Sequence, residues 1–272
     1  MWPRRLTLTS NGRIEEVKLW ILAILVLMSV VSIIKIKKLL VEPVEVINTP
    51  VLTVTPTPIE KKRINKILIM GDSMIVEGFG PRLENDLSAY SGLEVKRRGK
   101  YSTGLNRRDV FDWNKYSLDL IEEFKPEVLI VMFGANDSQN ILDKQNQPYR
   151  ISDSEWDGIY TQRVEEYMAL ISPEVEKIYW VGQPAARELI FSGRLKHLDE
   201  IYESEAQKWS NIEFISTWER FTTEGKYQAV IADDQGLRQR VKTDDGIHLT
   251  YHGSKIMSQL VIGVLKQDFE LE

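Results

Sequence analysis

The chain has 272 residues, 43% of them hydrophobic and 9% aromatic, with 16 Gly, 10 Pro and no Cys. That composition excludes collagen-like, disordered and disulfide-stapled classes, and the missing thiol excludes cysteine catalysis and cysteine-based metal sites. The net charge is −5, but residues 1–60 hold seven Lys/Arg against five acids, so residues 61–272 carry −7, which disfavours nucleic acid as a partner of the main body.

Residues 1–18 read as a short tail and 19–40 as a transmembrane anchor. From Leu19 to Ile34 only Ser29 and Ser32 are polar, with Lys18 before the run and Lys35, Lys37 and Lys38 after it. As a helix this run spans roughly 24 Å, short of a ~30 Å hydrocarbon core. Snorkelling of Lys35 and Lys37 makes up the deficit. A cleaved signal peptide and a buried core helix are the alternatives, but no small-x-small cleavage site follows the run. Four positive charges before the span and three after it nearly tie. The short tail favours a cytoplasmic N-terminus, so a single-pass membrane protein with its domain outside the cytoplasm is expected. Residues 41–62 contain Pro43, Pro50, Pro56 and Pro58 among four threonines and read as a stiff stalk, or else as an irregular first strand.

Residues 63–272 read as one folded domain. Short continuous apolar runs at Ile67–Met70, Val128–Phe133, Ile178–Val181 and Ile212–Ile215 fit strands covered on both faces. Between and after them Phe111–Phe124, Ser154–Ile171, Leu195–Trp209 and Tyr251–Phe269 have helical spacing. This alternation predicts a three-layer α/β/α sandwich with a mostly parallel sheet, whose ligands sit at the carboxyl ends of the strands.

Two such ends and one further loop carry chemistry. Gly71-Asp72-Ser73-Met74 follows the first run, and a serine in that turn has an exposed hydroxyl near a helix N-terminus, although the same residues also serve as a plain turn and cap. Gly134-Ala135-Asn136-Asp137 follows the second, where the Asn136 amide can donate to a substrate oxygen or merely shape a turn. Of the three histidines, His248 alone has a carboxylate, Asp245, three residues earlier in a Gly-containing loop; His197 and His252 read as surface residues.

These blocks, with Gly104 in Tyr101-Ser102-Thr103-Gly104-Leu105, resemble in order and spacing the SGNH or GDSL-like hydrolases, over roughly residues 65–265. Ser102–Leu105, Phe111-Asp112-Trp113, Trp180-Val181-Gly182 and Asp245–His248 also resemble a membrane-anchored bacterial subgroup of that superfamily. The resemblance implies a flavodoxin-like fold with Ser73 as nucleophile, His248 as base and Asp245, rather than Asp244, as its orienter. The Ser73 and Gly104 N–H groups and the Asn136 side chain would hold the oxyanion. Met74 stands where the family has leucine, a volume-conserving change.

The resulting expectation is a serine esterase that removes or transfers O-acetyl groups on cell-wall or surface polysaccharide, without cofactor or metal. A non-catalytic glycan-binding or acyltransferase-complex module and a lysophospholipase or thioesterase are the competing readings. Expected partners are an acylated carbohydrate or small ester, the membrane through the N-terminal helix, and a membrane acyltransferase. Asp72 and Arg187 are candidate substrate contacts. Trp113, Trp156, Trp180, Trp209 and Trp218 read either as sugar-stacking faces or as core aromatics. The basic cluster Lys96, Arg97, Arg98, Lys100, Arg107 and Arg108 reads either as an anionic-polymer site or as a solvated rim.

Overall fold

The computed structural model describes residues 61–272 apart from Lys144, so the expected tail, anchor and most of the stalk lie outside the described residues. Its centre is a five-stranded sheet built from β1 (Lys66–Gly71), β2 (Glu94–Gly99), β3 (Val128–Met132), β4 (Lys177–Val181) and β5 (Ile212–Ile215). The spatial order is β2-β1-β3-β4-β5 and every pairing is parallel. The flavodoxin-like order places a switch point between β1 and β3, where chain crossovers leave a crevice at the strand ends.

Alternate residues of the apolar runs enter two cores. Leu68, Met70, Leu129, Val131, Ile178 and Trp180 pack on one face against α3 (Trp113–Phe124), α4 (Trp156–Ile171) and α5 (Leu189–Ala206). Ile67, Ile69, Ile130, Met132, Tyr179 and Val181 pack on the other against α1 (Ser73–Val76), α2 (Phe79–Leu87) and α6 (Tyr251–Asp268). Each such side chain contributes roughly 1.5–3 kcal/mol by leaving water, which is why the two central runs, in β1 and β3, are apolar on both faces, while the edge run in β5 admits Glu213. Trp113, Trp156 and Trp180 are fully buried, so these three are core aromatics and not sugar platforms.

Two elements depart from the expected pattern. The edge strand β2, Glu-Val-Lys-Arg-Arg-Gly, holds half of the expected basic cluster, and four of the six cations enter ion pairs: Lys96 with Glu123 at 2.6 Å, Arg97 with Glu84 at 2.7 Å and, beyond the strand, Arg107 with Asp109 at 2.7 Å and Arg108 with Glu166 at 2.8 Å. A charged edge guards against strand addition. Helix α5 begins six residues earlier than its apolar spacing predicts, because Glu188 caps it through the N–H groups of Ile190 and Phe191. At the entry to the domain, Lys62, expected as the last stalk residue, lies in a short strand Lys62–Arg63 that pairs in parallel with Phe269–Glu270. Among the described residues no helix is long and apolar enough to cross a membrane.

Candidate active site

The turn after β1 makes the first wall. Asp72 is fully buried and caps α1, its Oδ1 accepting the Met74 N–H at 3.0 Å. Burial pushes its carboxyl up to about 7 against the pull of that N–H. A group enclosed in this way faces no substrate, which corrects the expectation for Asp72; its work is to fix the turn that presents Ser73. Ser73 opens α1, where backbone N–H groups lack intrahelical acceptors.

The second wall is the loop before α6. Asp245 Oδ1 accepts the N–H groups of Ile247 (2.8 Å) and His248 (3.0 Å) and the Thr243 hydroxyl (2.6 Å), closing a tight turn. Gly246 has φ +75°, and a Cβ there would lie 2.5 Å from the Arg187 Cβ, so only glycine lets the two chains pass. Asp245 Oδ2 lies 2.7 Å from His248 Nδ1, and His248 Nε2 lies 2.9 Å from Ser73 Oγ. Partial burial would raise the Asp245 carboxyl, but the bonds from Thr243, His248 and Ile247 outweigh it and hold the group well below the usual carboxylate range. An ionised Asp245 accepts only, so Nδ1 carries the proton and the Nε2 lone pair faces the serine hydroxyl. Asp244, in contrast, is almost wholly exposed and pairs with Arg240.

Arg187 and Lys242 clamp this loop from outside. The Arg187 guanidinium donates to the Asp244 carbonyl at 2.9 Å and its backbone N–H to the Gly246 carbonyl at 3.0 Å. The expected substrate contact is therefore first a brace of the histidine loop. Lys242, fully buried, donates from Nζ to the Ile247 carbonyl at 2.8 Å.

The third wall joins Gly104 and Asn136. Asn136 Nδ2 donates to the Thr103 carbonyl at 3.1 Å, using one of its two amide hydrogens. Beneath them Asp137, which sequence reasoning gave no role, is the anchor. Its buried carboxylate accepts the N–H groups of Leu105 (3.0 Å) and Asn106 (2.7 Å) and the Tyr160 hydroxyl (2.8 Å). A Cβ on Gly104 would stand 2.2 Å from Asp137 Oδ1, so this approach requires glycine. The only sequence signal for Asp137 was its place in the turn after β3. The walls meet through backbone bonds at the sheet end, Asp72 N–H to Met132 O (3.2 Å) and Lys100 N–H to Gly71 O (3.0 Å).

Of the expected residues, the structure links Ser73, His248 and Asp245 in one chain of contacts and brings Gly104 and Asn136 together in the loops that follow β2 and β3, on either side of β1. His197 and His252 are exposed, His197 beside Asp157 at 2.8 Å. Among the described residues no group of His, Asp or Glu is disposed to hold a metal ion.

The sequence matches the family described as "Protein of unknown function (DUF459)" over residues 66–263, and the chain belongs to that family. No curated protein matches it. The fold is similar to a catalytic mutant of an acetylxylan esterase from Geobacillus stearothermophilus, 17% identical with a TM-score of 0.55 over 77% of this chain and 96% of that chain. A further structure of that acetylxylan esterase has a TM-score of 0.54 at 17% identity over 75% and 94% of the chains. An alpha/beta hydrolase from the metagenome of Lake Arreo, Spain, is 14% identical with a TM-score of 0.54 over 75% and 94%. These likenesses concern the fold, a parallel sheet covered on both faces by helices.

Proposed function

We propose that this chain is a serine esterase that removes or transfers O-acyl groups, acetyl foremost, on cell-wall or surface carbohydrate. The observation that carries the reading is the chain of contacts from Ser73 Oγ through both nitrogens of His248 to Asp245, at 2.9 and 2.7 Å. The fold of the acetylxylan esterase supports it, as do solved catalytic mutants of that enzyme in which a serine, an aspartate and a histidine are replaced, the last two three positions apart.

In this reading His248 Nε2 takes the Ser73 proton as Oγ attacks the ester carbonyl carbon, and the carbonyl π pair moves onto oxygen. The Ser73 and Gly104 N–H groups and the Asn136 amide hold that oxyanion, each worth about 10²–10³ in rate. Collapse breaks the bond to the alcohol, which leaves with the proton from Nε2. Water or a second sugar hydroxyl then gives its proton to Nε2 as it attacks the acyl carbon, and Nε2 returns that proton to Ser73 Oγ as the Oγ–acyl bond breaks; the first acceptor makes an esterase, the second a transferase. Asp245 stays ionised and steadies the imidazolium.

The apolar run 19–40 would hold the domain to the bacterial cell membrane and the stalk 41–62 would keep it outside the cytoplasm, within reach of acetylated polymer and of a membrane acyltransferase. Hydrolysis of p-nitrophenyl acetate tests the chemistry. Ser73→Ala and His248→Ala should each lower kcat/KM by about 10³-fold or more, with the double variant little worse than either. Asp245→Asn should be severely impaired and Asp244→Asn close to wild type. A wild-type rate no higher than that of Ser73→Ala would favour a glycan-binding module instead.

A further inference from the structure

The turn that carries Ser73 ends at Glu77, whose N–H bonds the Ser73 carbonyl at 3.0 Å. That spacing stands Glu77 one helical turn beyond the nucleophile, on the same side. Its half-exposed carboxylate has Oε1 4.0 Å from His248 Nε2, while Oε2 accepts a bond of 3.3 Å from the Tyr101 hydroxyl. Tyr101 is 53% exposed and opens the loop to Gly104, followed by Ser102 at φ 57°. The acyl-transfer steps use neither side chain.

Their position assigns them a role on the alcohol side. Nε2 returns its proton to the departing alcohol oxygen, so that oxygen must come within hydrogen-bond reach of Nε2. A carboxylate 4.0 Å from the same atom is then within reach of a second hydroxyl on that alcohol. A carboxylate accepts such a hydroxyl through a charge-assisted bond and repels an anionic group in its place. Resting on the esterase reading, we propose that Glu77 and Tyr101 form an alcohol-side subsite that takes a neutral sugar monoester with a free hydroxyl beside the acylated one. The neighbouring hydroxyl keeps its proton throughout. The single proton that moves travels from His248 Nε2 to the alcohol oxygen as its bond to the acyl carbon breaks. Tyr101 orients the carboxylate and offers an exposed ring face to the sugar.

The test compares three acetate esters on the full-length protein: p-nitrophenyl acetate, a pyranoside monoacetate with a free neighbouring hydroxyl, and the same monoacetate with that hydroxyl methylated. The subsite predicts that wild type prefers the free-hydroxyl sugar over its methylated form by about tenfold or more in kcat/KM. Glu77→Ala should bring that ratio close to one, and Tyr101→Phe should lower it part of the way. Glu77 is exposed, so its truncation leaves the core untouched. A ratio near one in wild type, or a ratio that Glu77→Ala leaves unchanged, overturns the subsite. An equal loss on all three esters also overturns it, because the carboxylate would then act on the imidazolium alone. A wild type inactive on p-nitrophenyl acetate fails earlier, at the esterase reading itself.

Discussion

Lys242 is where burial and charge oppose each other most sharply in the site. Its ammonium is enclosed beside the histidine loop, and desolvation pushes it from 10.5 down to about 7 despite the opposing charge of Asp245. The folded-state value lies below the unfolded one, so the unfolded chain binds more protons between pH 7 and 10.5 and stability from this group rises across that window. Below it the ammonium remains charged in both states and the whole desolvation penalty stands. Lys242→Met should therefore gain most over wild type at pH 6, and the gain should shrink by on the order of 2 kcal/mol by pH 9, read by urea unfolding at both values. A difference independent of pH would show that Lys242 stays charged when buried. At this scale Asp245 and His248 were legible because a short loop forces residues three apart into contact. Asp137 was not, since its partners, Tyr160 and the Leu105 N–H, come from distant segments. Lys242 bonds a carbonyl only five residues on, but the packing that encloses it, with the Phe221 ring 5.7 Å from its Nζ, is tertiary and leaves no mark in the local sequence.

Among the elements, the loop from Tyr101 to Asn106 depends on one buried carboxylate. Gly104→Ala sets a methyl group 2.2 Å from Asp137 Oδ1, so either the loop or the acid must move. Esterase activity should drop about 10²-fold and thermal stability by about 1–3 kcal/mol. Asp137→Ala should act in the same direction by leaving two backbone N–H groups unpaired and taking from the Tyr160 hydroxyl one of its two partners, the other being the Tyr202 hydroxyl at 2.6 Å. Wild-type rates in both variants would mean that the loop supplies no oxyanion donor. Elements buried on both faces could be read from their residues nearly to the terminus, as β3 and β4 were. The edge strand β2 could not, because only one of its neighbours hides it and its side chains are mostly charged. The start of α5 escaped for a related reason: Leu189 and Ile190, 84% and 68% exposed, break the apolar stripe that otherwise marks a helix.

For the whole molecule, the alternation of apolar runs with helical stretches was enough to reach a parallel sheet covered on both sides, since few other architectures bury such runs. Both cores lie within residues 64–269, so the chain from residue 61 onward should fold and remain soluble by itself. Circular dichroism and gel filtration check this, and an unfolded or aggregated product would show that the N-terminal residues are needed. The proposed topology predicts that a C-terminal reporter active only outside the membrane is switched on; activity of a cytoplasm-specific reporter would reverse it. The esterase reading itself turns on a covalent bond. Wild-type protein mixed with p-nitrophenyl acetate, quenched in acid and mapped by peptide mass spectrometry should carry one acetyl group on Ser73, and Ser73→Ala should carry none. An unlabelled Ser73 under turnover, or the same label in both proteins on another residue, would contradict the account.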